Sequence, residues 1–237
     1  MSNSPLVSYT KLSPNHSGQR THAVDRITPH CVVGQCSVET LGNIFAPTSR
    51  QASCQYGIGV DGRVGMYVEE KNRSWCSSSN ANDQRAITIE CASDATHPYA
   101  FNNTVYAKLI ELCVDICKRY GKTKLLWFGN KTKTLNYEPA SNEMVLTVHR
   151  WFANKSCPGD WMYARMGDLA SKVTAKLGGS AGTTEKPANN QVFYRVQTGA
   201  FSNKANADAM LQKVKAAGFD TYMVKVDNLY KIQVGAF

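Results

Sequence analysis

The sequence predicts an α/β layer protein followed by a small α+β module, on three observations. Through the first 177 residues, short strand-like runs interleave with helical periodicities, the pattern of a sheet flanked by helices. From Gly178 to Asn190 the chain carries no aromatic or large aliphatic side chain, so this stretch cannot join a core and divides the protein. Beyond it, the segment Tyr194–Phe201 (YRVQTGAF) is echoed by Tyr230–Phe237 (YKIQVGAF) on either side of one helical segment. The expected organisation is a main domain over 1–177, a flexible linker over 178–190 and a small module over 191–237.

The elements follow from local pattern. Strands are expected at Ile27–Val33, Gln55–Val60, Val64–Val68, Ala86–Ala92 and Met144–His149, and Asp61-Gly62 between the second and third is a hairpin signal. Val105, Leu109, Leu112, Cys113, Ile116, Cys117 and Tyr120 recur at the spacing of one buried helical face over 104–120. Asp160 to Leu177 reads as a second helix, with Leu169, Val173 and Leu177 inward and Gly178 as its stop. His16 sits in a Pro/Asn/Ser/Gly segment expected to be flexible. In the module, the order is strand, Ala/Lys-rich helix from Asn203 to Ala217 ended by Gly218, strand Thr221–Val226, an Asp227-Asn228 turn and a last strand.

Composition narrows the class. With 43% apolar and 19% charged residues among 237, the chain is a folded protein rather than a disordered one. No stretch approaches the roughly 20 apolar residues of a membrane span, so no membrane insertion is expected. Met1–Val7 shows no basic segment leading into an apolar run, so no secretory signal is expected either. The eight cysteines are then thiols, with metal ligation as the leading exception. The net charge of +9 favours an anionic partner such as nucleic acid, a phospholipid surface or a wall carrying phosphate polymers. It is spread along the chain without a run of five like charges, which disfavours nucleic acid.

Three residues combine ligand chemistry with ordered settings. His30 follows Arg26-Ile27-Thr28-Pro29, His149 ends Val145-Leu146-Thr147-Val148, and Cys157 lies in the turn Asn154-Lys155-Ser156-Cys157-Pro158-Gly159. Two imidazoles and a thiolate suit Zn²⁺, and three protein ligands leave a fourth position open for water. Spacing alone leaves a second reading open, in which each is a satisfied core residue.

The surrounding segments carry a resemblance. Thr147–Gly159 (TVHRWFANKSCPG) resembles the second-histidine and cysteine segment of the zinc-dependent N-acetylmuramoyl-L-alanine amidases, the family that includes phage and bacterial wall hydrolases and animal peptidoglycan recognition proteins. Ile27-Thr28-Pro29-His30 resembles its first ligand strand, Gln55–Gly62 its central hairpin, and Arg85–Glu90 the strand bearing its catalytic carboxylate. The likeness spans about residues 20–177, in the family's order, and the wording is most similar to clostridial phage and prophage endolysins. It implies a zinc amidase domain with a central, mixed, mostly β-sheet flanked by helices. It also implies Zn²⁺ on His30, His149 and Cys157, with Glu90 carrying the water's proton to the leaving amine and Lys155 stabilising the oxyanion. A solvated surface lysine is the other reading of Lys155. The family's tyrosine near the start of the central strand has no counterpart in phase: Cys54 or Gln55 falls there, and Tyr56 is expected to pack in the core.

Other residues rank lower. His22 and His97 read as surface histidines near turns, although each could be an extra ligand. Cys31 and Cys91 alternate with His30 and Glu90 and so face the other way, Cys113 and Cys117 belong to a helix core face, and Trp75 could line the groove. The tail resembles the SPOR (sporulation-related repeat) domain, which implies binding to glycan strands. It ends at Phe237, ahead of the second helix and last strand the family usually carries, and an open sheet edge predicts pairing with another copy or marginal stability. The expectation is a peptidoglycan hydrolase that stays in the host bacterial cytoplasm until lysis and then acts on the cell wall. A non-catalytic peptidoglycan-binding protein and a zinc endopeptidase acting within the stem peptide are the alternatives.

Overall fold

The computed structural model of the protein describes residues 2–178, 196–219, 221–226 and 228–234. The expected linker beyond Gly178, Tyr194, Asp227 and the final Gly235-Ala236-Phe237 lie outside the described residues. The chain divides into two compact units, Met1–Pro187 and Ala188–Phe237.

The first unit contains β1 (Val7–Thr10), β2 (His16–Gln19), β3 (Arg26–Cys31), α1 (Val38–Phe45), β4 (Tyr56–Ile58), β5 (Val64–Met66), β6 (Asn72–Ser74), α2 (Asn80–Arg85) and β7 (Ala86–Cys91). There follow α3 (Asn103–Arg119), β8 (Lys124–Leu126), α4 (Lys131–Leu135), β9 (Glu143–Leu146), α5 (Asp160–Tyr163) and α6 (Met166–Lys176). Seven strands form one sheet in the order β1-β5-β4-β7-β3-β9-β8, and every pairing except β4 with β5 is parallel.

Strand alternation gives this sheet two chemically different faces. Ile27, Cys31, Ile58, Ile87, Ile89 and Cys91 belong to the large core, together with Val105, Leu109, Leu112, Cys113, Ile116 and Cys117 of α3 and Leu169 and Val173 of α6. The intervening residues, Thr28 and His30 on β3 and Thr88 and Glu90 on β7, occupy the other face because side chains alternate along a strand. Gly57 of β4 stands in the same row as Glu90. A Cβ there would sit 2.7 Å from both Leu41 and Tyr67, so only glycine lets α1 approach this closely.

The polar face is satisfied from within. Asn82 donates to Thr28 Oγ1 at 3.1 Å and accepts from Thr147 at 3.0 Å, and the two threonine hydroxyls share a 2.7 Å bond. Gln55 Oε1 accepts from the Thr88 backbone N–H and hydroxyl and from Ser74, while its amide donates to the Asn72 carbonyl. Buried polar groups satisfied in this way hold a single arrangement beneath whatever lies above them.

The structure corrects four local expectations. His16 is not in a flexible segment: it opens β2, which pairs antiparallel with β6. The span from Asp160 to Leu177 is two helices, separated at Arg165, whose guanidinium lies 4.0 Å over the Trp161 ring and donates to the Trp161 carbonyl. That bond supplies a partner to a helix-terminal carbonyl that α5 leaves unpaired. Strand β9 stops at Leu146 rather than His149, which opens a 3₁₀ turn, His149–Trp151. Strand β3 stops at Cys31, and Val33 beyond it adopts φ +59, incompatible with a continuing strand.

Tyr56 packs as expected. It is fully buried, donates to Glu70 at 2.6 Å and accepts from the Ser4 backbone N–H at 2.8 Å. Arg119 at the end of α3 grips the same buried carboxylate through both nitrogens, at 2.8 and 2.6 Å, tying the N-terminal segment to the core.

The second unit is a three-stranded antiparallel sheet with one helix: β10 (Val196–Phe201), α7 (Lys204–Ala216), β11 (Thr221–Val226) and β12 (Leu229–Val234), with β12 central. The Asn203 side chain caps α7 through the Ala205 N–H, and Gly218 follows at φ +86. Ala207, Ile232 and Val234 are its buried apolar residues among those described.

Candidate metal centre

His30 and Glu90 face each other because parallel pairing of β3 with β7 puts them in register. His30 is 1% exposed. His149 and Cys157 reach it from the segment after β9. Thr147, held in the buried bonds with Thr28 and Asn82, aims the chain out of the sheet, and the 3₁₀ turn then carries His149 to 5.1 Å from His30, ring centre to ring centre. The loop returns through Cys157, closed by a bond from the Arg150 N–H to the Cys157 carbonyl at 3.1 Å. It is anchored by buried Trp151, stacked on Trp127 at 5.1 Å. Cys157 Sγ lies 3.2 Å from His30 Nδ1. Ligand atoms of His30, His149 and Cys157 all fall within 4.8 Å of one another.

Burial, and then the neighbouring His149, push the His30 imidazole well below its usual pKa. Burial, and then the Lys155 ammonium, also lower that of His149. Both rings are therefore neutral near pH 7, the form that ligates a metal. Burial holds the Cys157 thiol well above its usual pKa, a preference that a bound divalent cation reverses. His30 Nε2 and Glu90 Oε2 are buried without a hydrogen-bond partner. Orphaned polar atoms beside two nitrogens and a sulfur make a donor set that suits Zn²⁺ in kind and number, with room for a fourth ligand.

Glu90 lies beside this set. Its Oε1 is 3.9 Å from His30 Nδ1 and 3.9 Å from Cys76 Sγ. Burial pushes its carboxyl up to about 7, against the opposing pull of Arg50 and of the Cys76 thiol. A cleft of about 420 Å³ opens over it, with Trp75, Arg50, His149 and Lys155 in its walls. Lys155 is exposed at this cleft, and its charge is felt by His149. His22 and His97 are exposed and stand outside the donor set; His97 instead meets Asp160 at 2.8 Å.

Sequence reasoning did not single out Cys76, Ser78 or Asp83. Asp83 accepts from the backbone N–H groups of Cys76 and Ser77, which shapes the loop, and Ser78 Oγ lies 3.0 Å from His149 Nε2. Their segment has neither strand nor helix periodicity, so nothing in its pattern reveals which face it presents.

The central sheet and its flanking helices thus bring a group that could hold a metal ion to the C-terminal ends of parallel strands, beside a cleft. The chain belongs to the N-acetylmuramoyl-L-alanine amidase family, whose profile matches residues 19–160, and residues 190–237 match the SPOR domain. Among solved structures, PlyL is similar at 14% identity over 70% of this chain and 95% of its own, with a TM-score of 0.50, a likeness of fold. N-acetylmuramoyl-L-alanine amidase LysC from Clostridium intestinale URNW is 17% identical over 73% of this chain and 96% of its own, with a TM-score of 0.45. An uncharacterized protein of Aquifex aeolicus (strain VF5) is 45% identical over 49 residues, and the match covers 21% of each chain.

Proposed function

We propose that the protein is a zinc-dependent amide hydrolase of peptidoglycan, cleaving the bond between N-acetylmuramic acid and the L-alanine of the stem peptide. The observation that carries this reading is the convergence of His30, His149 and Cys157 beside a half-buried Glu90, one of whose oxygens is buried and unpartnered, at a cleft. His30, His149 and Cys157 would hold the ion, which when bound supplies Lewis acidity toward the scissile carbonyl and acidifies water.

The chain's own groups do the rest. Glu90, beside the donor set at the cleft, is placed to accept a proton from the attacking water and to pass it to the departing amine. That proton balances the reaction: the C–N bond breaks, the carbonyl carbon gains oxygen, and the L-alanine nitrogen leaves as an amine. Lys155 places a positive charge at the cleft where negative charge develops on the carbonyl oxygen. The Trp75 ring offers a flat apolar face to a sugar.

The SPOR unit supports a tethered enzyme that holds glycan strands, and the open edges of its three-stranded sheet, β10 and β11, are where a second copy would pair. Release from the host cytoplasm at lysis fits a soluble wall hydrolase whose net charge of +9 suits an anionic envelope. Mass spectrometry of digested wall tests the assignment. The expected products are free L-alanine amino termini with intact glycan strands; new amino termini inside the stem peptide, or new reducing sugars, would overturn it.

A further inference from the structure

The geometry points to a second, inhibitory metal seat made by His30, Cys76 and Glu90, which overlaps the hydrolytic one and takes a thiophilic divalent ion. This inference rests on the reading of Glu90 as the proton carrier, and it concerns what can remove that carboxylate from service. Ligand atoms of His30, Cys76 and Glu90 all lie within 4.8 Å of one another, as do those of His30, His149 and Cys157. The two sets are joined edge to edge. His30 Nδ1 stands 3.2 Å from Cys157 Sγ on one side and 3.9 Å from Glu90 Oε1 on the other, and that same carboxylate oxygen is 3.9 Å from Cys76 Sγ.

Two further observations point to a ligand. The second carboxylate oxygen, Glu90 Oε2, is buried and unpartnered, and His30 has an unpartnered nitrogen as well. Glu90 Oε2 therefore has no protein partner that an arriving cation would have to displace, whereas the His30 nitrogen nearest the carboxylate, Nδ1, would be taken from Cys157 Sγ. Cys76 is also held in place, since its backbone N–H is bonded to Asp83 Oδ2 at 3.1 Å, and it lies in the wall of the cleft, where an ion can reach it. One imidazole, one thiolate and one carboxylate form a ligand set suited to zinc and, through the sulfur, to softer ions such as cadmium. Binding releases the thiol proton to solvent and engages the carboxylate, which can then no longer accept a proton from water.

The two seats share His30 Nδ1, so an ion centred on Cys76 and Glu90 competes with the hydrolytic ion for that nitrogen. In excess zinc a second ion on Cys76 and Glu90 takes this nitrogen while the first stays on His149 and Cys157, so activity should rise to one equivalent of zinc and fall as the doubly loaded protein forms.

The test uses the full chain and cadmium as the spectroscopic ion. Cys157→Ser removes the hydrolytic sulfur, yet should still take up one cadmium with a near-ultraviolet thiolate-to-metal absorption. Adding Cys76→Ser to that variant should abolish the band. In parallel, Cys76→Ser alone, with its activity scaled to its own value at one equivalent of zinc, should need at least tenfold more zinc for half-inhibition. A band that survives the double substitution, a Cys157→Ser protein that shows no thiolate–cadmium band, or an unchanged inhibition profile in Cys76→Ser would each overturn the second seat. A wild-type protein that binds no zinc at all would instead overturn the hydrolytic reading on which it rests.

Discussion

Glu90 is the side chain on which the proposed chemistry turns. It is pushed up to about 7 because it is buried in a strand whose other face is hydrocarbon, with one oxygen unpartnered. The family resemblance singled out Glu90 and His30, and strand alternation turned Cys91 and Cys31 to the opposite face, while composition left open a solvent-facing strand carboxylate at Glu90. What one sequence could not show was that the two strands are adjacent and in register, since pairing between segments 60 residues apart leaves no local trace. Two outcomes follow at this scale. Glu90→Gln should retain zinc and lose turnover by about 10²–10⁴-fold in wall-clearing assays, the contribution usual for a positioned acid–base group. In the metal-free protein, the raised carboxyl favours the fold while protonated, below its ordinary value of 4.5, and that contribution is lost as pH rises through about 7. Metal-free Glu90→Gln should therefore be more stable than wild type at about pH 8, by about 1–3 kcal/mol, and lose this advantage near pH 4, as read from urea midpoints. An equal advantage at both pH values would contradict the account of Glu90.

Elements, rather than single residues, bring the ligands together. The central strands and α3 were legible because their periodicities are long or strongly apolar, and the predicted strands at 27–33 and 86–92 overlap β3 and β7. The short edge strands β1 and β8 and the pair β2–β6 were not, because they run for three or four residues and draw their stability from tertiary pairing rather than composition. His149 shows the same limit. Val145–Val148 has strand composition, but the bonds of Thr147 to Thr28 and Asn82 end the strand early and turn the chain toward His30. The N-terminal segment is secured differently, by the buried Glu70 that binds Arg119 and Tyr56. Arg119→Met leaves that charge without its cation and should cost roughly 3–5 kcal/mol in urea unfolding. Converting Glu70 to Gln in the same variant should recover much of the loss, and a double variant as unstable as the single one would show that packing, not charge, holds this corner.

For the whole molecule, the family assignment and the SPOR match describe a modular protein whose catalytic-type unit has its own large core and whose second unit is small. On the proposed reading the second unit acts by effective concentration, holding the enzyme near wall that it has already reached. Removing residues 178–237 should accordingly weaken sedimentation with insoluble wall by tenfold or more while leaving hydrolysis of soluble muropeptides within about twofold. Equal losses in both assays would show that the second unit serves the active site instead. The account as a whole depends on the metal shell. X-ray absorption at the zinc edge of the purified full chain with one equivalent of zinc should show two imidazole nitrogens, one sulfur and one light atom, with the sulfur retained in Cys76→Ser and lost when Cys157→Ser is added to it. A shell without sulfur, or one unchanged by that substitution, would contradict it.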